Sequence, residues 1–194
     1  MILTDQLIFK NIAKHISLID SEIQYLWSLM KKISLDKKEY ILSQGKICNK
    51  IYFVDQGSLR AYNVNENGKE STIMFAVSDW WITAMDSFMN QKASSLTIVA
   101  LENSTILELD YDNLQTLLLK IPKFERFFRI LFQNAYIREQ RRTLHNISMS
   151  TEERYVQFIK KYPAIVEKIT QKQIASYLGV TPEFLSALKN NADS

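Results

Sequence analysis

The chain has 194 residues, 46% hydrophobic and 23% charged, with only 4 Gly and 3 Pro. That balance excludes a disordered, collagenous or linker-dominated chain and allows one domain or two small ones. Net charge is +3, yet residues 1–112 carry net −3 and residues 113–194 net +6, which points the C-terminal part toward a polyanion or a solvated basic face. In chain order, residues 5–33 read as helical. Leu7, Ile8, Ile12, Ile16 and Ile19, then Ile23, Leu26, Trp27 and Met30, recur three to four apart. Asp20 and Ser21 read as the cap between two helices.

After Ser34 the texture changes. Runs at 39–42, 51–55, 58–64, 71–77, 96–101 and 105–109 are short and rich in β-branched and aromatic residues. Gln44-Gly45, Gln56-Gly57 and Asn65-Glu66-Asn67-Gly68 punctuate them, with Asn67-Gly68 the strongest hairpin signal. Such spacing predicts an antiparallel roll or barrel. Trp80, Trp81, Met85 and Phe88 are either its core or the lining of an apolar pocket.

Residues 111–148 turn helical again, and Pro122 sits where a new helix can begin. The stripe of Phe124, Phe127, Phe128, Leu131, Phe132, Ala135 and Tyr136 is wide enough for two faces. One would pack on the roll. The other, with Phe124, Phe128, Leu131, Phe132 and Ala135, would meet a second subunit. Arg138, Arg141 and Arg142 are candidate phosphate contacts, or a solvated or intersubunit face.

Residues 149–194 read as a separate helical unit, and 1–148 as the roll with its flanking helices. Ser150-Thr151-Glu152-Glu153 opens a helix, and Pro163 ends it. Thr170 caps 171–178, Gly179 ends that helix, and Pro182 opens the last one. Helix, turn and helix over 169–188 fit a DNA-reading unit, with Ile174, Leu178, Leu185 and Leu188 as shared core. The candidate DNA contacts are Thr170, Gln171 and Gln173 on the first helix and Thr181, Glu183, Phe184, Ser186 and Lys189 on the second.

Other chemistries find no support in the sequence. The single Cys48 makes no intramolecular disulfide or cysteine zinc site, and reads as inert or as a redox switch. His15 and His145 are the two histidines, too few for a metal cluster and placed in no triad pattern. No paired-carboxylate motif or P-loop is present, so no enzyme, metal or cofactor is expected. No apolar run reaches a membrane span, and charges interrupt any signal-like segment, so the expected home is the cytoplasm.

Five segments together resemble the cAMP receptor protein/Fnr (Crp/Fnr) family of bacterial transcription regulators, in its branch without the cyclic-nucleotide residues. They are Gly57-Ser-Leu-Arg-Ala-Tyr, Ser78-Asp-Trp-Trp-Ile, Pro122-Lys-Phe-Glu-Arg-Phe-Phe, Ser150-Thr-Glu-Glu-Arg-Tyr and Ile174-Ala-Ser-Tyr-Leu-Gly-Val-Thr-Pro-Glu. The resemblance implies an α+β fold: an N-terminal cyclic-nucleotide-binding-type antiparallel β-roll, a long dimerisation helix over about 122–148, and a C-terminal helix-turn-helix, winged-helix-like domain. It also implies a homodimer on double-stranded DNA, with RNA polymerase and a small-molecule effector as further candidate partners.

Departures from that family bear on the effector. The ribose-binding Glu position falls near Thr83 and the phosphate-binding Arg position near Ser94, beside Ser95, and no Arg lies between Arg60 and Arg126. A buried phosphate without its cation is costly, so no cyclic nucleotide is expected. Trp80, Trp81, Thr83, Met85, Ser94 and Ser95 stand as the candidate effector pocket. Ala187 falls where many members carry a guanine-reading Arg, and little chain follows for a wing hairpin. Those two features favour an alternative, a protein-interaction module that has lost sequence reading.

Overall fold

Two antiparallel sheets form the roll in the computed structural model, which describes residues 3–192 and their side chains over 4–188. Ahead of it come a 3-10 turn at Leu3–Asp5 and two helices, α1 (Leu7–Ala13) and α2 (Asp20–Leu29). The strands are β1 (Met30–Leu35), β2 (Tyr40–Leu42), β3 (Lys50–Gln56), β4 (Ser58–Val64), β5 (Glu70–Val77), β6 (Trp81–Ile82), β7 (Thr97–Ala100) and β8 (Ser104–Asp110). One sheet runs β1-β8-β3-β6 and the other β2-β7-β4-β5. A short helix, α3 (Met85–Asn90), lies between β6 and β7.

One boundary corrects the sequence reading. The helix expected through 33 ends at Leu29, and Met30–Leu35 pairs with β8 from Met30↔Leu109 to Leu35↔Ser104. Ladder hydrogen bonds to a distant partner outweigh the local helical spacing there. The cap of α2 also moves: Ile19 precedes the helix, and its N–H donates to the Glu22 carboxylate at 2.9 Å.

Gly57 lies between β3 and β4 at φ +94°, and a Cβ there would stand 2.2 Å from Ser104 Oγ. The close approach lets Ser58 N–H donate to that hydroxyl at 3.2 Å, so no side chain fits at Gly57.

Next come α4 (Tyr111–Lys120) and the long α5 (Lys123–Ser148). The start of α5 lies on the roll. Phe124, Phe127 and Phe128 are buried, and the Phe127 and Phe128 rings each stand 5.9 Å from Trp81. Each such burial is worth about 1.5–3 kcal/mol, enough to fix the direction of the helix.

Four helices follow among the described residues: α6 (Thr151–Lys161), α7 (Pro163–Val166), α8 (Gln171–Leu178) and α9 (Pro182–Ala192). They surround a second core containing Phe158, Tyr162, Ile165, Ile174, Leu178 and Leu185. Phe75 of β5 and Leu101 of the roll also belong to this core. The last helices are therefore packed onto the roll and do not hang from it.

Candidate functional site

The helix-turn-helix is built by local chemistry. Thr170 Oγ1 accepts the Gln173 N–H at 3.2 Å, and the Gln173 side chain accepts the Thr170 N–H at 2.9 Å. This reciprocal cap satisfies donors at the start of α8. Gly179 ends the helix in the left-handed conformation at φ +74°. Thr181 Oγ1 then accepts the Phe184 N–H at 3.2 Å and caps α9.

Those bonds sort the predicted DNA contacts. Thr170, Gln173 and Thr181 have capping roles. Gln171, Glu183, Phe184 and Ser186 are exposed, as is Ala187. Ile174, Ala175, Leu178, Leu185 and Leu188 are buried, so α9 turns one polar and aromatic face outward. The side chain of Lys189 lies outside the described residues.

On its other side, α8 is docked to the roll. β5 is an edge strand, with backbone groups that no further strand pairs. Ser176 Oγ accepts the Thr72 N–H at 2.8 Å and donates to the Glu70 carbonyl at 2.9 Å. Arg142 donates to the carbonyls of Ile73, Thr72 and Tyr177. One guanidinium thus joins α5, β5 and α8. The buried Arg60 reinforces the junction through Thr72 at 2.8 Å, Glu70 at 2.7 Å and Ser176 at 3.4 Å. Sequence reading missed Arg60, Thr72 and Ser176, since a buried Arg in a strand carries no local signature.

A second feature joins residues predicted separately. A cleft of about 440 Å³ opens between the roll and α5. Trp80, Trp81, Thr83 and Met85 line it from the roll, and Leu131, Phe132 and Ala135 from the helix. Ser94 and Ser95 do not line it. The Ser94 hydroxyl bonds its own loop at Leu96, and the Ser95 carbonyl accepts from Asn63. Their predicted pocket role gives way to this loop packing. Phe124 and Phe128 are likewise corrected as subunit contacts, because the chain's own core takes both rings.

The chemistry of this cleft is largely apolar. Trp81 Nε1 donates to Asn11 at 3.0 Å, and Asn11 donates to Asp79 at 2.9 Å. Asp79, Asp86 and Glu139 line it against Arg138 and His15. The Arg138 guanidinium lies 5.1 Å from the Trp80 ring centroid. Thr83 donates to the Lys50 carbonyl at 2.8 Å. Such a lining suits an apolar or weakly polar molecule better than a phosphate.

Cys48 is buried, with Sγ 3.3 Å from the Lys50 carbonyl. Among the described residues no three His, Cys, Asp or Glu side chains are placed to hold a metal ion. No helix among them is long and apolar enough to cross a membrane.

Comparisons with known proteins agree with this geometry. The cyclic nucleotide-binding domain family matches residues 32–120, which run from β1 to the end of α4. The "Anaerobic regulatory protein" of Pasteurella multocida is 27% identical over 184 residues, covering 89% of this chain and 67% of that protein. Regulatory protein HlyX of Actinobacillus pleuropneumoniae is 28% identical over 169 residues, covering 81% and 70%. The structure of the c-di-GMP-responsive global regulator CLP of Xanthomonas campestris superposes with a TM-score of 0.73. It is 14% identical and covers 90% of this chain and 93% of that one, a likeness of fold.

Proposed function

The chain belongs to the Crp/Fnr family of transcription regulators, and from that premise we propose that it is a homodimer reading a pseudo-palindromic duplex through α9. The observation that carries this reading is the outward face of α9, where Glu183, Phe184, Ser186 and Ala187 stand exposed beside a capped turn. A helix so presented fits the major groove, and a two-fold dimer sets two of them about 10 base pairs apart. Residues 149–194 serve as the DNA-binding unit and 1–148 as the roll that biases it. The protein acts in the cytoplasm and carries out no reaction of its own; RNA polymerase is its further partner.

The effector is not a cyclic nucleotide in this reading. The lining between roll and α5 is largely apolar, and the nearby Lys14 and Lys92 already pair with Asp79 and Asp86, which leaves neither free to neutralise a cyclic phosphate. A small apolar effector there would contact both Trp81 and Phe132 and so shift α5 against the roll. Any such ligand acts only through unequal affinity for two arrangements of α5.

Selection from a random duplex pool at rising salt tests the function. Enrichment of a pseudo-palindrome is expected, with affinity falling steeply as salt rises. Ala187→Arg is then expected to favour guanine at one position of each half-site by about 1–3 kcal/mol. If no sequence is enriched, even with cell extract as an effector source, sequence reading is lost. The exposed Phe184, 53% accessible, would then mark a protein-binding face.

A further inference from the structure

A cleft of about 680 Å³ lies where α5 meets α6 and α8. Arg138, Arg141, Arg142, Arg154, Lys160 and Lys161 line it, and no Asp or Glu does. The His145 imidazole also lines it. The nearest carboxylate is Glu139, 3.8 Å from Arg138 and 3.9 Å from Arg142, too far to hydrogen-bond either. So many like charges around one concavity focus a strong positive potential.

Several of these donors are left unused. The buried Nε atoms of Arg138 and Arg154 have no hydrogen-bond partner. Arg141 and Lys160 make no hydrogen bond or ion pair among the described residues, and both are exposed. The Lys161 ammonium is held down to about 8, by desolvation first and then by the Arg138 and Arg142 charges. A protein seldom gathers cations this way without an anion to meet them, since each one raises the cost of the others. Arg142 and Arg154 are the exceptions: Arg142 is committed to backbone carbonyls, and the Arg154 terminal nitrogens donate to Asn146, Leu178 and Thr151.

We propose that this cleft binds a compact polyphosphorylated anion of the nucleoside triphosphate class. Its volume lies in the usual range for small-molecule sites. That volume matches a small anion better than a double helix, whose major groove alone is about 12 Å wide. Guanidinium forks suit phosphate oxygens, and two lysines supply mobile point charges. Phe158 and Leu178 give an apolar floor against which a base or sugar can rest. The site adjoins the cleft between roll and α5, sharing Asn134 and Arg138 with it, and binding there does not depend on how α9 reads DNA. A bound anion would bridge α5 to α6 and so brace the junction between roll and helix-turn-helix.

The test is titration of the full chain with ATP and with inorganic tripolyphosphate near physiological ionic strength. Calorimetry and tryptophan emission report binding, the latter because Trp80 lies beneath Arg138. One saturable site per chain is expected for ATP or tripolyphosphate. Equal binding of both assigns recognition to the phosphates alone, and preference for ATP adds the nucleoside. The double variant Arg141→Ala with Lys160→Ala is expected to weaken binding at least tenfold with an unchanged melting temperature. Lys69→Ala, on the β4–β5 hairpin, is expected to leave binding unchanged. No saturable binding of either probe overturns the proposal, as does binding that the double variant does not weaken. Loss of duplex affinity in the double variant, with neither small anion bound, would assign the cleft to DNA phosphates and also overturn it.

Discussion

Replacing Phe75 with alanine is expected to lower the unfolding free energy by about 3–5 kcal/mol and to release the helix-turn-helix from the roll. Phe75 is fully buried on β5, yet its packing is with the C-terminal helices. Its ring centroid lies 5.8 Å from Phe158, 5.7 Å from Tyr162 and 5.6 Å from Tyr177. Truncation therefore leaves a cavity between two structural units rather than inside one. The polar ties through Ser176 and Arg142 are too few to hold the junction alone, since each net hydrogen bond contributes about 1 kcal/mol, or up to about 3 when charged.

Denaturation followed by two probes checks this. Far-UV dichroism and limited proteolysis near residues 148–150 should separate, with cleavage appearing before the roll melts. Phe88→Ala is the contrast. Phe88 is buried in the roll, 5.3 Å from the Tyr111 ring, so its loss should destabilise the roll and leave the junction bonds intact. A single cooperative transition in Phe75→Ala, shifted by less than about 1 kcal/mol, would mean that the second core does not depend on β5.

Much of the fold was legible because its signals are local. Thr170, Gly179 and Pro182 each have a conformational job within a few residues, so the helix-turn-helix could be read from spacing. The runs that became β3, β4, β5, β7 and β8 alternated with turn signals in the same way. β1 was not legible, because Met30 fits the helical spacing of Ile23 and Trp27, while its strand partner Leu109 is distant in sequence. The short β6 and α3 carried no period long enough to detect.

The candidate sites divide along the same line. Trp81 and Phe132 were singled out for different roles, pocket and dimer contact, and only the packing of α5 on the roll sets them in one cleft. Arg138 and Arg141 read as one basic stretch of a helix. Their meeting with Arg154 and Lys160 depends on how α6 folds back, which no local pattern encodes. Arg142, read as a phosphate contact or as part of a solvated or intersubunit face, is instead the partner of an unpaired strand edge.

Replacing Leu144 with aspartate is expected to split the proposed dimer and to reduce affinity for a two-half-site operator by about 10²–10⁴-fold. Beyond the roll, α5 leaves an apolar row uncovered. Phe124, Phe127 and Phe128 are taken by the roll, but Ile137 is 43% exposed, Leu144 60% and Ile147 80%. Ile130, Ile137 and Leu144 recur every seven residues, the spacing that keeps one helix seam facing another. A two-fold copy of α5 would cover that seam, whereas an aspartate on it would bury a charge facing its own copy. Leu144 lines neither cleft, so folding of the single chain should be unaffected. Sedimentation should show monomers at micromolar concentration, with single half-sites bound as weakly as before. A variant that stays dimeric with full operator affinity would move the subunit contact away from this seam. The half-site measurement then separates a fault in assembly from a fault in α9, because only the second alters binding to one half-site.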